Sequence, residues 1–362
     1  MDQPVEFKDP NLDAAVREKL NHFYKPLYRS QLLSIQELDL EGKDIQYISW
    51  IEHLRNLEVL NLRSNAVLDV SPLGSLKKLQ AIDLGHNHLV DLEAAGFNRL
   101  RNLKLINLNL DHNTKVNPQG QEIRITDIEP LSHFTSLENL SLVDNHIEDI
   151  SPLQNLIELK ELNLRENNID NISAISQLYD LTYLNLHSNQ KIKDFSPIQN
   201  LVNLEELILR NVPVGDQVES FENLTALKRL NLRNCSISDV TFLADLMAQG
   251  ALQDNPEVMS LAYLDILEND IPNDPHKLRV LNPYWDNIHT TYPLTINGSI
   301  LDPPTFSREA GFYTNSFSLT LETTQQDGLI YYPLDGSIPT RESALYDAPI
   351  HILSESFSDI QT

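Results

Sequence analysis

Leucine recurs along this chain at two interlocked intervals. Within a unit, apolar residues stand at the first, fourth and sixth positions, an asparagine at the ninth and another apolar residue at the eleventh. Leu57, Leu60, Leu62, Asn65 and Val67 are matched 22 residues later by Leu79, Ile82, Leu84, Asn87 and Leu89. The frame fits again at Leu137, Leu140, Leu142, Asn145 and Ile147, at Leu159, Leu162, Leu164, Asn167 and Ile169, and, with its last apolar residue one place later, at Leu181, Leu184, Leu186, Asn189 and Ile192. Looser copies begin at Leu204 and Leu227, a first copy at Ile35, a third full copy at Leu103 and a last at Leu261, which makes ten.

The alternation in Leu60-Asn61-Leu62 predicts a short strand, because successive side chains of a strand point to opposite faces and both leucines then enter a core while Asn61 faces out. One unit cannot cover its own apolar face. Neighbouring units must supply the other wall, so the strands stack into a parallel sheet and stability becomes a nearest-neighbour property. The asparagines at 65, 87, 145, 167 and 189 fall where the chain leaves the strand and buried backbone groups need partners. A side-chain amide offers donors and an acceptor, which predicts a hydrogen-bonded ladder. Cys235 falls in the same column, and Lys43, Asp111 and Val212 depart from it. Ser71-Pro72, Ser151-Pro152 and Ser196-Pro197 open the second half of their units, and proline at that point suits the start of a short helix on the convex side. At the N-terminus Leu12, Val16 and Leu20 share a helical face, with Asp9 placed to cap and Pro10 at the first helical position. Residues 1–34 are therefore expected to be a helical cap.

The pattern LxxLxLxxNxL is that of leucine-rich repeats. Its 22-residue form resembles internalin-like bacterial proteins and also a cytosolic class of phosphatase regulators, and the cap sequence resembles the opening of secreted bacterial leucine-rich domains. The fold class expected is an α/β leucine-rich-repeat solenoid over residues 35–285, with its parallel β-sheet on the concave face. The resemblance implies a protein-binding module, secreted or at the cell surface, with the cytoplasm left open as the alternative. After Trp285 the leucine register stops. A linker over 286–301 and a small β-sandwich module over 302–362 are expected. Phe317 to Leu321 and Leu329 to Tyr332 alternate as strands do, and Asp335-Gly336 is a favourable turn pair. Pro304-Thr305-Phe306-Ser307, Gly311-Phe312-Tyr313, Ile330 through Thr340 and Tyr346-Asp347-Ala348-Pro349-Ile350 resemble the chitobiase/β-hexosaminidase C-terminal, immunoglobulin-like domain. Pro333 departs from that pattern and suits an edge strand. Such modules also stand next to kinase domains resembling spore-coat protein H, which raises a second expectation, that this chain is the targeting part of a larger extracellular enzyme.

The outward strand positions form one extended surface. The middle column is expected to hold Asp39, Asn61, Asp83, Asn107, Ser141, Asn163, Asn185, Ile208, Asn231 and Asp265. Two residues on stand Arg63, Val143, Arg165, His187, Arg210 and Arg233, with Tyr183 and Arg229 beside them. Arginine and tyrosine are well represented where proteins bind each other. The candidate binding residues are thus Arg63, Arg165, Tyr183, His187, Arg210, Arg229 and Arg233. They suit a protein partner, an acidic one in particular; a carbohydrate is the weaker reading because the strip lacks Trp. Unit spacing widens after Leu103, where residues 113–124 are expected to be a loop, and after Leu227, where a longer helix from Thr241 fits.

Charge sharpens the choice of partner. A net charge of −25 repels nucleic acid and anionic membrane. No stretch is long and apolar enough to span a bilayer, and Met1 to Pro10 does not have the form of an export leader. The chain is accordingly expected to be a mature form or a part of something longer. A single cysteine rules out an internal disulfide and a Cys-rich zinc site. His86-Asn87-His88 spells part of a nuclease motif, but Asn87 belongs to the ladder, and His112, His133 and His146 stand in different units without ligand spacing. No nucleophile elbow, Walker loop or dinucleotide motif occurs. Neither catalysis, nor a cofactor, nor a metal is expected.

Overall fold

The computed structural model describes residues 2–24, 26–253, 262–270, 281, 305–307, 317–323, 330–332 and 344–352. The linker expected at 286–301, the start of the last unit at Leu261, Pro333 and the Asp335-Gly336 turn lie outside the described residues.

The N-terminal cap forms as its sequence suggests. Its helix spans Pro10–Lys19, and Leu12 and Val16 are fully buried. Asp9 caps it by accepting from the N–H groups of Asn11 and Leu12 at 2.9 and 3.2 Å. The other carboxylate oxygen accepts from Gln46 and Tyr47 at 2.8 and 3.1 Å, so one side chain ties the cap to the first repeat. Burial of Asp9 opposes ionisation, but these four donors outweigh it and hold the carboxyl below its usual value.

Ten three-residue strands follow, at Glu37–Asp39, Val59–Asn61, Ala81–Asp83, Asn107–Asn109, Asn139–Ser141, Glu161–Asn163, Tyr183–Asn185, Glu206–Ile208, Arg229–Asn231 and Tyr263–Asp265. They form a single parallel sheet in sequence order. The central residue of every strand, from Leu38 to Leu264, is buried. Each buried leucine contributes about 2 kcal/mol of transfer free energy, and the core they share is continuous from the cap to Leu281. The convex side is built of short 3-10 turns such as Ser71–Ser75, Ser151–Asn155 and Ser196–Asn200, each with proline in its first turn. A true α-helix, Thr241–Ala248, replaces the 3-10 turn where the spacing widens for the second time.

The third full unit starts two residues later than the leucine pattern suggests. Asp83 pairs with Asn109, which in turn pairs with Ser141, so Asn109 and not Asn107 stands in the middle column. Leu105, Leu108 and Leu110 are the core residues of this unit. The stretch 103–110 holds leucine at both 103 and 105, so two frames are open, and strand pairing selects the second. Asp111 is consequently a concave residue and no break in the ladder. The segment expected to be a loop at 113–124 is instead Asn113 followed by an antiparallel hairpin that pairs Thr114–Val116 with Glu122–Arg124. It closes through a turn at Asn117, whose side chain accepts from the N–H groups of Gln119 and Gln121 at 3.0 and 2.9 Å.

Within the C-terminal module the described strands pair antiparallel: Phe317–Leu319 with Ile350–Ile352, Thr305–Phe306 with Leu321–Glu322, and Tyr331–Tyr332 with Ala344–Leu345. Leu319, Leu321 and Ile350 form its small core.

Candidate protein-binding face

The asparagine ladder lies just inside the concave face. Asn65 accepts through Oδ1 from the N–H of Ile45 at 2.9 Å and donates through Nδ2 to the carbonyls of Leu40 and Leu62 at 2.8 and 2.9 Å. Asn87, Asn167 and Asn189 repeat this bridge to the preceding unit. Asn113, which the sequence frame places in a loop, is a fully buried rung that donates to Leu84 O at 3.1 Å, and Asn269 does the same to Leu232 O at 2.7 Å. Cys235 substitutes in the column: its thiol donates to Leu209 O at 3.1 Å, and burial pushes its pKa up to about 12, which leaves it unreactive. At Asn145 the ladder is incomplete. The amide donates to Leu110 and Leu142, but among the described residues no donor meets Oδ1, because the hairpin has displaced the N–H that would have.

A second column of polar side chains faces outward at the end of each strand. Asp39, Asn61, Asp83, Asn109, Asn163, Asn185, Asn231 and Asp265 each accept, through the side-chain oxygen, the N–H two residues on, at 2.8 to 3.3 Å. At Ser141 the corresponding donor, Val143 N–H, is taken instead by Asp111 at 2.7 Å. Alternate N–H groups still bond to the next strand past these ends, as Gly42 does to Arg63 O and Ser64 to Gly85 O, and for the N–H between them the side chain supplies the acceptor that no neighbouring strand does. The middle column is therefore largely occupied with its own backbone, a role that the positions on either side of it do not share.

Those positions are polarised along the sheet. The first four strands present Glu37, Asp39, Glu41, Asp83 and Asp111 around one arginine, Arg63, which lies between Glu41 at 4.0 Å and Asp83 at 3.8 Å. Arg165, His187, Arg210 and Arg233 succeed one another on adjacent units at the other end, and Arg229 stands beside them. The four concave arginines expected to line up are thus split: Arg63 is set apart by Gly85, Asp111 and Val143. Most of the others are partnered within the chain. Arg165 pairs with Glu166 at 2.6 Å, Arg233 with Glu268, and Arg229 with Glu206 at 3.2 Å while lying 5.0 Å over the ring of Tyr263. Arg210 is exposed, and among the described residues it has no carboxylate partner. Burial, with Arg165 and Arg210 nearby, depresses the pKa of His187 and keeps the imidazole neutral at pH 7. Burial raises Tyr183, which keeps its hydroxyl. Between the acidic and basic ends a hollow of about 530 Å³ opens on the sheet, bordered by Asn107, Asn139, Glu161 and Tyr183.

A third row runs along the sheet's C-terminal edge, where each residue before a ladder position has a positive φ, including His86 (53°), His112 (52°), Asp144 (53°) and Glu166 (57°). The row stacks His86 on His112 with ring centroids 4.5 Å apart and sets His112 Nδ1 2.7 Å from Asp144. Arg124 of the hairpin pairs with the Asp144 carboxylate and donates to its backbone carbonyl at 2.7 Å. Histidines scattered in the sequence are therefore partly brought together, and what they secure is the hairpin. Among the described residues no group of His, Cys, Asp and Glu has the arrangement of a metal site.

Comparison with known proteins agrees with this architecture. The leucine-rich-repeat family model matches residues 55–98 and 157–200, and the chitobiase/β-hexosaminidase C-terminal domain model matches residues 308–357. An internalin (InlF) from Listeria monocytogenes superposes with a TM-score of 0.61 at 28% identity, covering 77% of this chain and 82% of that one. An internalin C2 from the same species is 29% identical over 56% of this chain and 95% of that one, with a TM-score of 0.45. No curated protein matches the sequence. The fold and face define a leucine-rich-repeat interaction scaffold. The chain is similar to the internalins in its leucine-rich repeats, and residues 308–357 match the chitobiase/β-hexosaminidase C-terminal domain. Its repeat architecture supports a protein-interaction module, and such a fold is typically a non-catalytic scaffold.

Proposed function

We propose that this protein binds a protein partner through its concave sheet, outside a bacterial cell, either secreted or held at the surface. The observation that carries the reading is the division of roles across the sheet. The middle column serves the backbone, whereas the flanking columns present Arg165, Tyr183, His187, Arg210, Arg229 and Arg233 at positions where folding needs no particular side chain. Rows of this kind give solenoids their extended binding surfaces. The basic end of the face, on a chain of net charge −25, favours a partner with an acidic patch. The internalin likeness and the chitobiase-type domain support an extracellular setting.

A photo-crosslinking residue placed at Tyr183 on the concave side, or at Tyr179 on the convex edge, tests the face that binds. Crosslinks to a partner from position 183 and none from 179 are expected; crosslinks from 179 alone would overturn the assignment. Location is tested separately. Surface protease applied to intact cells, or immunodetection in the culture medium, should find the protein, and its confinement to the cytosolic fraction would refute export.

A further inference from the structure

The strand-end column has one vacancy. In nine of the ten units the N–H two residues beyond the middle column is taken by a side-chain oxygen of the chain itself. In the eighth unit the capping position is Ile208, and among the described residues no acceptor meets the N–H of Arg210. That same residue carries the exposed guanidinium with no carboxylate partner among the described residues. An uncapped N–H, a cation with no ion pair among the described residues, though its field reaches Glu268, and the one apolar side chain of an otherwise polar column thus coincide at Ile208 and Arg210, two residues apart at the end of one strand. Asn185 and Asn231 flank Ile208 in register, and Arg210 lies between His187 and Arg233.

We propose that the Ile208–Arg210 step is an anchor for an aspartate or glutamate side chain on the protein partner, docked next to an apolar side chain of that partner. This deepens the concave-face reading and rests on it. The chemistry follows from the other units. In Asp39, Asp83 and Asp265 a carboxylate oxygen accepts the equivalent N–H, so the backbone there has the geometry to hold one. At Arg210 the internal oxygen is missing, and a carboxylate arriving from outside can accept from the N–H and from the guanidinium together, a charge-assisted arrangement roughly twice as strong as a neutral one. Ile208 stands where the internal acceptor would be and offers the incoming residue an apolar contact instead. His187, neutral at pH 7, leaves the positive charge at this point to the arginines.

Selection of random peptides displayed on phage against the full chain tests the anchor, because one substitution fills it from within. Ile208→Asn restores the side-chain oxygen found in the neighbouring units and should fold as the parent does, which circular dichroism and thermal melting check. Enriched peptides should carry an acidic residue beside an aliphatic or aromatic one. Changing that acid to its amide should weaken binding at least tenfold, as should Ile208→Asn and Arg210→Ala separately. Peptides without a carboxylate, peptides that bind the Ile208→Asn variant unchanged, or no enrichment at all would overturn the anchor. If peptides are lost on Asn139→Lys but not on Ile208→Asn, the anchor falls and the concave reading stands. If they ignore both substitutions, both fall.

Discussion

Two columns of asparagine run the length of the solenoid, four residues apart in each unit. The inner one, represented by Asn167, is buried and reaches across to the preceding unit, where it satisfies Ile147 N–H and Leu142 O while also serving Leu164 O of its own. The outer one, represented by Asn163, faces the concave side and accepts a single N–H two residues along its own strand. Both exist because backbone groups at a strand end need partners, yet they differ in what surrounds the alternative. The inner column is buried, so a missing amide strands the N–H that has no other acceptor, while each carbonyl keeps only the amide of an adjacent rung. In front of the outer column there is solvent, or a partner, so a missing oxygen leaves one N–H that something else can take. The inner column admits Cys235, which still donates, and the buried Val212, which makes no side-chain hydrogen bond, while the outer column admits Ile208, which cannot accept.

The largest expected effect tests the inner column directly. Asn167→Ala leaves the buried N–H of Ile147 without an acceptor and takes one of two amide donors from the carbonyls of Leu142 and Leu164, which keep Asn145 and Asn189. At about 1 to 3 kcal/mol for the stranded N–H and a smaller loss at each carbonyl, it should destabilise the chain by roughly 2 kcal/mol or more. Urea unfolding measures it. A loss below about 1 kcal/mol would mean that the ladder does not join the units. The hairpin supplies an internal control. Asn145 already lacks a donor to Oδ1, so Asn145→Ala gives up only donated bonds, to Leu110, Leu142 and Val143, and should cost about 1 kcal/mol less than Asn167→Ala. Equal costs would show that the accepted bond contributes nothing.

How much of this could be read from the sequence follows the same division. The inner column was legible because it is periodic: burial fixes both residue type and spacing, and Asn65, Asn87, Asn145, Asn167 and Asn189 all fall on it. Asn113 escaped because leucines at 103, 105, 108 and 110 offer two frames, and only pairing of Asp83 with Asn109 chooses between them. The hairpin escaped because strands of three residues are too short for alternation to declare itself, and Asn117-Pro118-Gln119-Gly120 suits a loop as well as a hairpin turn. On the concave face the arginines were visible as letters, but their pairing was not. Which of them is neutralised depends on residues such as Glu268, 35 positions from Arg233, which only stacking brings near. The exposure of Arg210 and the vacancy at Ile208 are likewise comparisons between adjacent units, invisible until the register is known.

Smaller effects should come from the outer column. Asn163→Ala removes the 3.3 Å acceptor of Arg165 N–H, but that group borders solvent, so the cost should be about 0.5 to 1 kcal/mol. A cost matching that of Asn167→Ala would erase the distinction between the columns.

The smallest effect concerns charge, and it changes sign relative to the others. Asp83 occupies the outer column, and burial raises its pKa despite the opposing influence of Gly85 N–H and of Arg63, with Asp111 and Glu41 adding to the rise. A carboxyl whose folded pKa lies above its unfolded value holds its proton more tightly in the folded chain, so its ionised form costs stability at neutral pH. That cost is relieved as pH falls through the folded value toward the ordinary 3.8. Asp83→Asn keeps the acceptor for Gly85 N–H and removes the charge. It should therefore stabilise the protein at pH 7 by less than about 1 kcal/mol, in line with a partly exposed charge, and the gain should shrink as the solution is acidified. Melting temperatures of the two chains compared at pH 7 and at pH 4 give the measurement. If the substitution destabilised the protein at pH 7, Asp83 would be worth more as a partner of Arg63 than it costs as one carboxylate among several. The acidic end of the sheet would then be a built ion-pair network, and the contrast with the uncapped, unpaired Arg210 would be one between a completed electrostatic site and one awaiting its carboxylate.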